Sequence, residues 1–166
     1  MSQASFFAIF DDFQPDPTAQ LTDEFSRLAV QKQWRPGSKA YRKNRRRCYI
    51  EEFNTHWGKD ASRLETWQAL SREVGIDPVP TSITQCKKVW GCVLCGRVMA
   101  DSVSKALKKT HVNIVDLIDC RRTGTAVRTF PTFAALRTYT VNTGKVFPKQ
   151  AAKHDGFIKA LLREIF

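Results

Sequence analysis

The sequence lacks the features of membrane-spanning and secreted proteins. No apolar run approaches the ~18 residues that a membrane-spanning helix needs. The opening residues also lack the basic stretch that precedes the apolar core of a signal peptide, so we expect no secretory leader and no membrane partner. Cysteines number only five. Because this number is odd and no secretory signal is present, we interpret them as reduced thiols inside a cell.

Signatures of catalysis are also missing. The sequence contains no Gly-x-Ser-x-Gly turn, no phosphate-binding glycine loop and no paired-carboxylate pattern. Its three histidines, His56, His111 and His154, lie far apart and have no accompanying nucleophile pattern. A catalytic site usually shows convergent polar chemistry. We therefore expect a non-enzymatic protein with no cofactor.

Acidic residues are scarce relative to basic ones. The 166 residues include 27 Lys and Arg against 16 Asp and Glu, a net charge of +11. Residues 1–31 hold five acids and one base, a balance of −4, so the remainder carries +15. Such a basic body favours polyanions, nucleic acid first, through counterion release and steering. A basic but inert surface is the alternative.

Strand-like alternation is scarce, and helix-capping signals are frequent. We therefore predict a mainly α, compact domain of about six helices, in which the run 125–130 (TAVRTF) is the best strand candidate. Residues 1–16 are predicted to form an N-terminal arm whose phenylalanines dock on the body, and residues 17–166 a single domain. The predicted helices start near Asp16, Ser38, Ser62, Ser82, Asn113, Pro131 and Pro148.

The third and fourth predicted helices resemble a helix-turn-helix pair. Leu70, Val74, Gly75 and Ile76 fit its first helix and turn, although the turn has about two extra residues. In this interpretation the outward residues of the second helix face a nucleic-acid groove. The candidates are Gln85, Lys87 and Lys88. An ordinary helical hairpin explains the same pattern.

A basic run in the second predicted helix is the principal candidate for phosphate binding. Clustered arginines suit phosphate because the guanidinium fork matches its geometry. The run also resembles a nuclear-import signal, and a solvated charged face is its alternative. A second group, Arg121, Arg122 and Arg128, extends the patch if the fold brings it near. The members of the basic run are Lys39, Arg42, Lys43, Arg45, Arg46 and Arg47.

The pair Cys92 and Cys95 has the spacing of half a zinc site. No second pair at that spacing completes four ligands, and no strand precedes Cys92 as a redox motif requires. Removing residues 89–105 joins Lys88 to Ala106 and restores one amphipathic helical pattern. We therefore hypothesise that 89–105 is an insert, a retained intron translated in frame. If present, it is expected to lengthen the fourth helix or to bulge out.

Several stretches resemble a family of small uncharacterised proteins of filamentous fungi. The resemblance covers most of residues 10–166 and implies an intact domain but no activity. The insert at 89–105 departs from the family pattern. The stretches that carry it are 24–53, 64–88, 110–124 and 144–166, which include "QKQWRPGSKAYRKNRRRCYIEEF" and "THVNIVDLIDCRRTG".

The sequence therefore predicts a nuclear, non-enzymatic nucleic-acid-binding protein. The alternative is an interaction module, nuclear or cytoplasmic, whose basic face docks an acidic protein and whose "FFAIFDDF" arm binds a groove. Zinc binding and enzymatic activity rank behind both. The acidic arm is a further candidate to fold over the basic face and mask it. DNA or RNA, sequence specificity and oligomeric state stay open.

Overall fold

Six α-helices build most of the described chain, which confirms the mainly α prediction. The structure, a computed structural model, describes residues 5–95, 111–148 and Phe157. A short two-stranded antiparallel sheet pairs His111 with Phe130 and Val112 with Thr129. The elements in order are a 3-10 helix Phe6–Ile9, α1 Leu21–Gln31, α2 Lys39–Trp57, α3 Leu64–Glu73, α4 Ile83–Cys95, β1 His111–Val112, α5 Ile114–Thr123, β2 Thr129–Phe130 and α6 Phe133–Thr143.

Several helix boundaries follow local capping chemistry as predicted. The Ser38 hydroxyl accepts the Tyr41 amide at the start of α2, at 3.1 Å. The Asn113 side chain accepts the Val115 amide at the start of α5, at 2.8 Å. Gly124 ends α5 with φ of 69°, a left-handed conformation that glycine adopts without steric cost. These caps satisfy amide and carbonyl groups that helix ends otherwise leave unpaired.

At Asp16 and Ser62 a local turn displaces the predicted start of the helix. Asp16 does not cap α1; its carboxylate accepts the Thr18 amide at 2.8 Å in a local turn, and α1 begins at Leu21. Ser62 similarly binds the Asp60 carboxylate through its amide at 2.8 Å, and α3 begins at Leu64. Short polar side chains compete with the helix for nearby amides, and at both sites the hydrogen bond forms within a turn before the helix begins.

Helix α2 lies at the centre of the packing. It contacts the 3-10 helix, α1 and α5, while α4 packs against α3 and β1. Trp57 and Trp67 are buried, and half-buried Trp34 packs on Phe10 and Phe25, so all three tryptophans contribute to the core. Phe157 is also fully buried, with its ring 4.5 Å from that of Trp67. The rest of the helix predicted after Pro148 lies outside the described residues.

The N-terminal arm is part of the core. Phe6, Phe7 and Phe13 are at most 3% exposed. The buried Glu52 carboxylate of α2 accepts the Phe6 amide at 3.1 Å and the Ser5 hydroxyl. The arm therefore docks on the body through both apolar packing and a buried polar anchor.

The first part of the predicted insert continues α4. Residues 89–95 are helical, and Val89, Trp90, Val93 and Leu94 are buried in the core. The Trp90 indole donates to the Ser71 hydroxyl at 3.2 Å, which ties α4 to α3. The insert thus lengthens the fourth helix, one of the two expected outcomes, despite Gly91 within it. Residues 96–105 lie outside the described part.

Candidate nucleic-acid interface

The first two turns of α2 carry a cationic face. Lys39, Arg42, Lys43 and Arg46 occupy positions i, i+3, i+4 and i+7, which lie on one side of a helix. The first three are exposed and Arg46 is half-buried. Within 5–95 and 111–148, Lys39, Arg42 and Lys43 take part in no ion pair. We call these three residues the α2 cationic face.

The helix itself adds to the positive potential of this face. The first turn of α2 contains no acidic residue, and its amide end carries the positive end of the helix dipole. Cations are disfavoured there by roughly 0.3–1 kcal/mol each, whereas an anion is favoured. Lysine and arginine at this end therefore weaken the helix slightly and strengthen its attraction for anions.

Arg45, although predicted to bind phosphate, is bound within the protein. Its Nη2 donates to the carbonyl oxygens of Gly144 at 3.0 Å and Val146 at 3.2 Å. Its guanidinium also lies 5.0 Å from the centre of the Tyr49 ring. The side chain therefore holds the chain just after α6 against α2, a structural role that periodicity alone does not reveal.

Arg47 is also partly neutralised. Its Nε lies 3.1 Å from the Glu51 carboxylate, one helical turn later. Its guanidinium stacks 5.6 Å from the centre of the Phe6 ring and so covers the arm. Of the six residues predicted to hold phosphate, the structure brings Lys39, Arg42 and Lys43 together as an exposed set, with Arg46 beside them.

The second predicted group of arginines does not extend this face. Arg122 lies 3.0 Å from Glu52 in an ion pair whose two side chains are 6% and 3% exposed. Arg121 binds Glu73 at 2.9 Å. Arg128 lies over the Tyr139 ring at 4.8 Å. Each of these arginines therefore contacts a partner elsewhere in the fold and is not part of the α2 cationic face.

The candidates on α4 belong to another part of the fold. The Gln85 side-chain carbonyl accepts the Thr81 amide at 3.1 Å, so it is engaged in a hydrogen bond just before the start of α4. Lys88 is exposed and Lys87 half-buried. Buried Cys86 and half-buried Ile83 lie on the inner side of this helix. Since α4 packs on α3 and β1, these residues sit on an element with different neighbours from those of α2.

The acids of the arm do not pair with the α2 cationic face. Asp12 binds Lys32, which follows the end of α1, at 2.5 Å, and the Asp16 carboxylate accepts the Thr18 amide. The hydrogen bond to Lys32 lowers the pKa of exposed Asp12. In the described contacts the arm reaches α2 at Arg47 and Glu52, beyond its first two turns. The predicted masking therefore has no ion pair to support it.

The cysteines offer no described metal site. Across residues 5–95 and 111–148, no group of three or more His, Cys, Asp or Glu side chains lies close enough to hold a metal ion. Cys92 is half-buried on α4, and the side chain of Cys95 lies outside the description. Burial raises the pKa of the Cys48 thiol well above its usual value, which makes it a poor nucleophile.

A buried polar cluster on α5 was missed by the sequence analysis. The Lys145 ammonium lies 2.6 Å from Asp116 and 2.9 Å from Asp119, which are one turn apart. Burial acts to lower the pKa of Lys145, but hydrogen bonds to both carboxylates outweigh it and raise the pKa. Burial raises the pKa of Asp119. The sequence did contain one sign of this cluster, two acids three residues apart on an apolar helix. It did not identify their partner, because Lys145 lies 26 residues after Asp119.

No family model, curated protein or solved structure matches the chain. Within the described ranges, no helix combines the length and the apolarity required to cross a membrane.

Proposed function

We propose that the protein is a non-enzymatic nucleic-acid-binding protein that binds phosphates through the α2 cationic face. The supporting observation is the exposed set Lys39, Arg42 and Lys43 at the amide end of a helix whose first turn holds no acid. Half-buried Arg46 borders the same face. Arg45, Arg47 and Gln85 are left out of the contact set because their side chains serve internal hydrogen bonds.

The distribution of acids supports this assignment. The carboxylates that form ion pairs in the described part are engaged by cations outside the α2 cationic face. They are Asp12, Glu24, Glu51, Glu52, Glu73, Asp116 and Asp119. A net charge of +11 then steers polyanions toward the chain, and the exposed face provides the contact.

The three side chains have different roles in this proposal. Arg42 offers a planar fork that can bind one phosphate through two parallel hydrogen bonds. Lys39 and Lys43 act as mobile point charges one turn apart. Such contacts position a backbone and carry no sequence information directly, so we propose binding with little sequence preference. In this proposal Lys87 and Lys88 on α4 make at most additional contacts with phosphates of the nucleic acid.

The test is the salt dependence of binding to a fluorescent duplex. Three phosphate contacts predict a slope of log affinity against log salt of about −2.7 for B-DNA. Raising the salt from about 50 to about 200 mM then weakens binding about 40-fold. The test variant carries Lys39→Gln, Arg42→Gln and Lys43→Gln and is expected to lose most of this slope.

A control variant removes the same charge from other exposed positions, Lys59, Arg63 and Arg72, each changed to Gln. It is expected to lower affinity modestly and to keep the slope. Equal slopes for the two variants would refute the α2 cationic face as the contact. Absence of binding at about 10 mM salt would refute nucleic-acid binding as a whole. Parallel titrations with single-stranded RNA and DNA identify the preferred nucleic acid.

We further propose that the protein acts in the nucleus, since the same basic run resembles an import signal. The alternative partner is an acidic protein. Its support is the charge alone, because Phe6, Phe7 and Phe13 are buried in the chain's own core and are not offered to a partner's groove. Copurification that resists nuclease treatment supports the protein partner; loss of the partner after nuclease supports nucleic acid.

A further inference from the structure

One face of α6 borders a groove in the body of the protein. Phe133, Leu136, Arg137, Thr140 and Val141 recur at i, i+3, i+4, i+7 and i+8, so they share one side of the helix. The groove they line has a volume of about 470 Å³. Such a volume lies within the range of small-molecule sites, roughly 300–1,000 Å³.

Three of the five large apolar side chains that are exposed in the described part of the chain line this groove. Phe133 is 40% exposed, Val141 66% and Val146 47%, and all three line it. The other large exposed apolar side chains of the described part, Ile9 and Val30, are on the 3-10 helix and α1. Apolar patches concentrated in one concavity are typical of binding sites.

Three polar residues that line the groove, Asn113, Thr140 and Lys145, already have hydrogen-bond partners within the protein. The Asn113 side-chain amide donates to Thr140 Oγ1 at 2.8 Å and to the Lys145 carbonyl at 3.0 Å. The Lys145 ammonium is held by Asp116 and Asp119. The interior therefore offers hydrocarbon from buried Leu94, Val112 and Ile114, and it suits an apolar ligand.

Arg137 supplies the charge at the rim. It is exposed, lines the groove and takes part in no ion pair within residues 5–95 and 111–148. We propose that the groove binds an anionic amphiphile, a hydrocarbon body inside with a carboxylate or sulfate head on Arg137. This site is distinct from the α2 cationic face in its residues and in the apolar body that it requires.

The test uses octanoate and 1-octanol, which share a chain and differ in the head group. Each is titrated into the full chain while methyl NMR shifts of Val112, Val141 and Val146 are recorded. Octanoate is expected to bind about tenfold more tightly than octanol, the advantage of one partly exposed charge-assisted hydrogen bond. Arg137→Gln is expected to remove this advantage and to leave octanol affinity unchanged.

Matched controls separate the groove from general basicity. Arg72→Gln removes another exposed positive charge far from the groove's lining, and Val30→Asp alters an exposed valine on α1. Both are expected to bind octanoate as the wild type does, whereas Val141→Asp is expected to weaken it at least tenfold. Absence of shifts at the three valines, or an unchanged octanoate-to-octanol ratio in Arg137→Gln, would overturn the proposal. The Lys39, Arg42 and Lys43 variant is expected to bind octanoate normally.

Discussion

Trp90 offers the sharpest test of how α4 contributes to this fold. The side chain is fully buried, and its indole donates to Ser71, whose hydroxyl in turn donates to the Trp67 carbonyl at 2.8 Å. Trp90→Ala leaves a large cavity and removes the link between α4 and α3. Substitutions of this kind cost about 3–5 kcal/mol, a large part of the ~5–15 kcal/mol that stabilises a typical domain.

Urea unfolding followed by circular dichroism measures this cost. With a slope of about 2 kcal/mol per molar urea, the midpoint is expected to fall by about 1.5–2.5 M. Val30→Ala is the control, because Val30 is 80% exposed and its change is expected to stay within about 0.5 kcal/mol. An unchanged midpoint in Trp90→Ala would refute the placement of this side chain in the core.

The same assay tests the hypothesis that residues 89–105 are an insert. Deleting them removes Val89, Trp90, Val93 and Leu94, each worth about 1.5–3 kcal/mol of burial. The summed loss, about 6–12 kcal/mol, is similar to a whole domain's stability. We expect the deleted chain not to form this core. Cooperative unfolding at the wild-type midpoint would instead favour the retained intron, and sequencing of the spliced messenger checks that hypothesis independently.

Two further predictions concern buried charge. Arg122→Met leaves the Glu52 carboxylate buried without its guanidinium and is expected to cost about 3–5 kcal/mol in urea unfolding; adding Glu52→Gln should restore part of it, and no restoration would contradict the ion-pair argument. Burial lowers the pKa of His56, so its stabilising effect is present above about pH 6.5 and is lost as the pH falls through the folded-state pKa. The stability of the wild type relative to His56→Gln should therefore fall between about pH 7.5 and about pH 5, and a constant difference would contradict the burial argument.

The sequence identifies residues that can cap a helix, but it does not show which of two possible local hydrogen bonds such a residue forms. Ser38 and Asn113 cap helices as predicted because each has one favourable set of nearby amides. Asp16 and Ser62 have the same chemistry but also a polar neighbour two residues away, Thr18 and Asp60. Both choices satisfy the side chain, so composition and spacing alone do not decide between them.

The candidate site was predicted in outline. The sequence places the run of six basic residues on the second helix, and α2 carries it. The sequence does not reveal that Arg45 binds carbonyl groups 99 and 101 residues away, or that Arg122 pairs with Glu52 across 70 residues. Such partners depend on tertiary packing, which a single sequence read by pattern does not supply.

The start of α1 bears on the order in which the protein folds. No side chain of its own cap residue satisfies its first amides, and the Leu21 amide donates instead to Asp119, 98 residues later, at 2.7 Å. This hydrogen bond can form only once α5 is in place, so the amide end of α1 is completed late, by tertiary packing and not by local capping.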